Sequence, residues 1–202
     1  MKNINTTILV IGIVIISFLC FYFPNKIIEY KNINNNLYKI TTNLQIKEEF
    51  HDLNFELNNK MTGLVAPNIL CKENENNEKY LLELTKGKPL LICKYTYLTC
   101  NSCYEAELKL LNNVFIDNTN VVILCSDHTM RNFIIYKRKN EMNISIFSIK
   151  FYSFNWIAEK NINSYYFVLH PDMKISHIYV PNKEFPEQNK QYLEGIKRFL
   201  SE

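Results

Sequence analysis

The chain has little glycine and less alanine. There are four glycines and three alanines (Ala66, Ala106 and Ala158) in 202 residues. Asparagine, isoleucine and lysine take their place, a mark of AT-rich codons, so runs such as Asn34-Asn35-Asn36 carry no message of their own. An excess of charge is also missing. The net charge is +3 and the 23 Lys and Arg do not gather into one stripe, which excludes a nucleic-acid partner. Six cysteines are too few for a disulfide-dense mini-protein. Internal repeats are absent. What is plentiful is apolar: 47% of residues are hydrophobic and 21% charged, which excludes a wholly disordered chain. The length suits one ordinary domain with an added segment.

That segment is N-terminal. Residues 7–23 are apolar apart from Thr7, Gly12 and Ser17. From Ile8 the charge-free run extends roughly 24 Å as a helix, a little short of a hydrocarbon core of about 30 Å. It is also long for a signal-peptide core, and Phe18-Leu19-Cys20-Phe21-Tyr22-Phe23 has no small-x-small cleavage pattern. Leu19 stands where lipoprotein processing at Cys20 would need a small residue. The expectation is an uncleaved, single-pass membrane anchor over 1–24, with a cleaved signal as the alternative. Lys2 on one side and Lys26 and Lys31 on the other leave its direction tied.

Tyr30, Ile33, Leu37, Ile40 and Leu44 follow steps of three and four. Ile46, Phe50, Leu53 and Leu57 resume the rhythm after a shift of two. The pattern predicts an amphipathic stalk helix over 25–60, with no Pro or Gly between residues 26 and 58. It reads either as a single helix lying on the domain or the bilayer, or as a coiled coil making a homodimer.

Residues 61–202 suffice for one domain. Strands are predicted at 89–95, 120–125, 144–149, 165–169 and 174–180. Helices are predicted at 101–113, 130–140 and 186–200, and 72–79 reads as a charged, Asn-rich loop. His170-Pro171-Asp172-Met173 reads as a hairpin turn. Strands alternating with helices, then a hairpin and a last helix, predict a mixed sheet with helices on both faces, an α/β sandwich.

The chemistry points to Cys100-Asn101-Ser102-Cys103, between a core strand and a helix. With Cys100 at the helix N-terminus, Cys103 lies one turn inside, near the separation a disulfide prefers. Free N–H groups and the helix dipole there favour a thiolate at Cys100. Cys100 is then the nucleophile that attacks a disulfide, and Cys103 the resolving thiol. A structural disulfide and a metal site are the other readings; the metal reading lacks a second CxxC, and His128 and His170 are its other candidate ligands. Cys93 and Cys125 are expected in adjacent buried strands as small hydrophobes, with a second disulfide among Cys71, Cys93 and Cys125 as the alternative.

The order of elements and motifs resembles the thioredoxin-like superfamily, in particular membrane-tethered thiol–disulfide proteins of the TlpA and AhpC/TSA type. Gly87-Lys88-Pro89 with Leu90-Leu91-Ile92 looks like their turn and first core strand. Cys100 and Cys103 match the redox pair, and 166–175 looks like the late hairpin. The resemblance covers roughly 60–202. It implies a three-layer α/β/α thioredoxin-like fold, redox chemistry without a bound cofactor, envelope-protein disulfides or a redox partner as the targets, and a domain outside the cytoplasm, in the periplasm. Three positions depart from it. Thr99 replaces the usual Trp. Ser164 stands where relatives carry a cis-proline, so the bond before it is expected to be trans. Ala106 stands where many relatives place an acid, between Glu105 and Glu107. The substrate-docking loop falls at Ser164 and Tyr165. A peroxidase pattern is absent, with Tyr97 at its key position. The departures leave a redox-inactive binding module as the second hypothesis, and a metallochaperone using Cys100, Cys103 and His170 as a third.

Overall fold

The computed structural model describes residues 2–74, 77–95, 101–116, 120–150, 154, 156, 162 and 164–202; within these, some side chains near the N-terminus, that of Asn74 and those of 101–103 are not described. Helix α1 (Lys2–Met61) runs unbroken through the expected anchor and stalk, Pro24 included. The chain divides into two compact units, 1–52 and 53–202. Residues 53–61, the last turns of α1, fall in the second unit. Among the described residues no helix is long and apolar enough to cross a membrane. Most side chains of the expected anchor (7–11, 13–16, 19 and 20) lie outside the described set.

Unit 53–202 is built on a seven-stranded mixed sheet. Its strands are β1 (Leu70–Asn74), β2 (Asn77–Tyr80), β3 (Leu90–Tyr95), β4 (Val121–Ser126), β5 (Ser145–Ile149), β6 (Ser164–Leu169) and β7 (Ile175–Tyr179), in the order β2-β1-β5-β4-β3-β6-β7. β3, β4 and β5 are parallel neighbours, and the remaining pairs are antiparallel. The parallel strands are joined by α3 (Asn101–Val114) and α4 (Asp127–Lys139). Right-handed crossovers stepping the same way along a sheet put both helices on one face. Tyr104 of α3 accordingly stacks on Phe133 of α4 with centroids 4.8 Å apart. Helix α5 (Pro186–Phe199) packs against α3, where Lys197 donates to the Val114 carbonyl at 2.7 Å.

Alternation along each strand divides the core. Ile92, Val122, Leu124, Phe147, Phe167 and Leu169 face one side. They are covered by Leu57 and Met61 of α1, by Leu81 and Leu84 of the short α2 (Leu81–Thr85), and by Phe154 and Trp156. The segment read as a loop over 72–79 is largely the β1–β2 hairpin. It reads as a loop because an edge is protected by charge: Lys72 faces Glu78 across the pair in an ion pair of 2.6 Å. The opposite edge, β7, is closed by α1. Asn58 Oδ1 accepts from the Ile178 N–H at 3.1 Å and Asn54 Oδ1 from the Val180 N–H at 2.6 Å. One helical turn separates the two amides, so they meet the edge as a second strand would. At Lys86 and Gly87 the chain takes left-handed φ values of 50° and 76°, forming the turn into β3.

Candidate active site

β3 ends at Tyr95 and α3 begins at Asn101. Cys100 lies outside the described residues. Cys103 sits in the first turn of α3, with its side chain also outside them. The described residues thus give a strand that ends at Tyr95 and a helix that begins at Asn101, and Cys100 falls in the stretch between them that lies outside the described residues.

One turn beyond Cys103 the helix presents Glu107. Residues four apart share a helix face, with Cβ atoms about 5–6 Å apart. The face that holds Glu107 also holds Tyr104, Leu108 and Leu111, all buried against the sheet. Glu107 is only 7% exposed. Its Oε2 accepts from the Tyr166 hydroxyl at 3.0 Å, and its Oε1 from the Ser164 hydroxyl at 3.3 Å. The Tyr95 hydroxyl is a third partner and lies 3.4 Å from that of Tyr166. Burial raises the carboxyl to about 7 in spite of the three hydroxyls, which pull the other way. The same burial pushes Tyr95 and Tyr166 well above the ordinary phenol. A carboxyl held near neutrality can take or give a proton at physiological pH.

This residue escaped the sequence reading. Ala106 and Glu105 are exposed and Glu107 is buried. Its one signal was the spacing 103–107 on the face of Leu111.

Ser164 and Tyr165 open β6, paired to Tyr95 and Lys94 of β3, and both are buried. Ser164 points towards Glu107 and Tyr165 to the opposite face. Residue 163, and with it the bond expected to be trans, lies outside the described residues. Lys94 is buried beside Tyr165, with Nζ 3.5 Å from the Tyr95 carbonyl.

Three other cysteines are buried away from solvent. Cys71, Cys93 and Cys125 are free and buried, so the alternative of a second disulfide among them is not realised. Burial pushes the thiols of Cys71 and Cys125 up to about 12, and that of Cys93 well upward. His170 lies beyond the end of β6 that is remote from Ser164. It follows Leu169, which pairs with Leu90, whereas Tyr95 pairs with Ser164 at the other end of the strand, roughly 17 Å away. His170 instead bonds Ser176 at 2.8 Å. The thiols of Cys100 and Cys103, the other ligands expected of a metal site with His170, lie outside the described residues. Among the described residues no three His, Cys, Asp or Glu converge, and His128 joins no such group.

No family profile matches this chain, and no curated protein matches it. Solved structures do. A thiol:disulfide interchange protein from Bacteroides sp. superposes with a TM-score of 0.51 at 14% identity, covering 70% of this chain and 91% of its own. A Chlorobium tepidum chain assigned as the thiol:disulfide interchange protein DsbE superposes at 0.50 and 12% identity, covering 66% and 96%. At such identities the likeness is one of fold alone, and the fold is thioredoxin-like.

Proposed function

We propose that the protein is a thiol–disulfide oxidoreductase in which Cys100 and Cys103 react and Glu107 handles the proton of Cys103. The observation that carries this reading is the buried carboxyl one helical turn past the second cysteine of a strand–CxxC–helix junction. The Cys100 thiolate attacks one sulfur of a substrate disulfide. A Cys100–substrate bond forms, the substrate S–S bond breaks, and one substrate thiolate leaves. The Cys103 thiol passes its proton to Glu107, and the resulting thiolate attacks Cys100. The second substrate thiolate leaves, the substrate is reduced, and Cys100–Cys103 is oxidised. The reverse sequence oxidises a dithiol, and the partner's potential sets the net direction. The loop that leads into Ser164 and Tyr165 would dock the partner chain. Residues 7–23 would tether the domain to the membrane, outside the cytoplasm, where envelope proteins offer disulfides.

The test is trapping. Cys103→Ser should accumulate mixed disulfides with other proteins, seen as reducible bands on a non-reducing gel, and Cys100→Ser should accumulate none. No bands with Cys103→Ser, together with a Cys100 thiol inert to alkylation in the reduced protein, would refute the reading. Full function in Cys100→Ser would favour the redox-inactive binding module.

A further inference from the structure

The stalk half of α1 carries an apolar stripe. Tyr30, Ile33, Leu37, Ile40 and Leu44 are each 48–70% exposed. Two features of this helix ask for a cover. The first is composition. Residues 25–46 contain six Asn, five Ile, two Thr and no Ala, all of them modest or poor helix formers. Side-chain support along this stretch, among the described residues, comes from the Lys26–Glu29 ion pair at 2.6 Å and the Gln45–Glu49 bond at 3.1 Å. Thr41 and Thr42 bond back to the carbonyls of Leu37 and Tyr38, which adds nothing to the helix. Such a helix draws its stability from packing its apolar face. The second feature is the period. The steps of three, four, three and four are a strict heptad, with Tyr30, Leu37 and Leu44 at a and Ile33 and Ile40 at d. A seam of this period stays facing a partner only when helices supercoil around one another.

We propose that the stripe is covered by other copies of this chain, in a parallel bundle of three or four helices. Leu at a with Ile at d shifts coiled coils away from two strands. The flanking positions agree. Asn34 and Thr41 at e and Asn36 and Asn43 at g are neutral, whereas two-stranded coils commonly set charged pairs there. A wider bundle partly covers e and g, where neutral polar groups are cheaper to desolvate than charges. Area argues the same way. At about 100 Å² per side chain the stripe offers roughly 500 Å² per helix, so two copies only reach the ~1,000 Å² of a stable interface and three or four exceed it. The bilayer is the poorer occupant. If 7–23 span it, the unbroken helix carries Leu44 roughly 30 Å beyond Phe23 along its axis.

The test is the molar mass of the full chain in mild detergent under reducing conditions, by light scattering corrected for the micelle. The expected mass is three or four times 24.0 kDa. It should fall to one chain in Leu37→Asp/Ile40→Asp and also in Leu37→Ala/Ile40→Ala. The second variant keeps the helix favoured while removing the seam. Asn35→Asp, at the outward f position, should leave the mass unchanged. A wild-type monomer, a wild-type dimer, an assembly that survives both double variants, or a stoichiometric foreign protein on the helix would each overturn the proposal.

Discussion

Replacing Glu107 by Gln probes the site and the fold together. The folded protein holds this carboxyl at about 7, against an ordinary value of 4.5. A group whose folded pKa is raised contributes stability fully below its unfolded pKa and loses it as pH rises through the folded one. Between pH 4.5 and 7 the unfolded chain therefore releases a proton that the folded chain keeps, and stability falls. The difference of roughly 2.5 units corresponds to about 3 kcal/mol by pH 8. Glu107 is 7% exposed, so solvent screens little of this. The amide of the Glu107→Gln variant has no proton to release, and its contribution is flat with pH. Near pH 5 the variant should match the wild type or fall slightly below it. Near pH 8 it should be the more stable by up to about 3 kcal/mol. The assay is urea unfolding under reducing conditions, followed by the fluorescence of Trp156, the one tryptophan, which is buried and stacked on Phe154. The variant should gain this stability while losing disulfide exchange. Parallel stability curves across pH 5–8 for the two proteins would refute a raised, buried carboxyl.

Tyr166→Phe removes a bond that lowers the Glu107 pKa. The pH-dependent fall in stability should move upward, and the variant should lose about 1–3 kcal/mol at pH 8. No upward shift would show that Tyr166 does not hold the carboxyl. Asn58→Ala frees the Ile178 N–H on edge strand β7 and should cost about 1–2 kcal/mol in the same urea assay. Adding Asn54→Ala uncovers Val180 as well, and light scattering should then detect aggregation, as for any exposed edge. With Cys20, Cys100 and Cys103 replaced by Ser, Cys71, Cys93 and Cys125 should resist maleimide at pH 8 and react only in urea. Fast labelling of the native protein would contradict their burial.

The strands and helices after residue 89 were legible because each is long and periodic. β4 has an unbroken apolar centre, Val121-Val122-Ile123-Leu124, and α5 repeats Tyr192, Ile196 and Phe199 on one side. Elements stabilised by partners far along the chain were not legible. β1 and β2 are polar because they form an edge, and α2 is only five residues long and sits under Met61 and Leu57. α4 begins at Asp127, ahead of the expected 130, because its first turn is polar and its apolar pattern starts later.

Local order along the chain was enough to place a core strand before the CxxC and a helix at and after Asn101, since the strand and helix signals there lie close together in sequence. It was enough, too, to mark Cys93 and Cys125 as buried by their apolar neighbours. Which of the two acids is buried was decided only by tertiary structure. Glu105 and Glu107 differ by about 200° around a helix, but nothing local says which side meets the sheet. The answer depends on β6 laying Ser164 and Tyr166 beside β3, more than fifty residues away in sequence. Burial by such distant partners raises the Glu107 carboxyl, because burial belongs to the packed sheet and not to any stretch of chain.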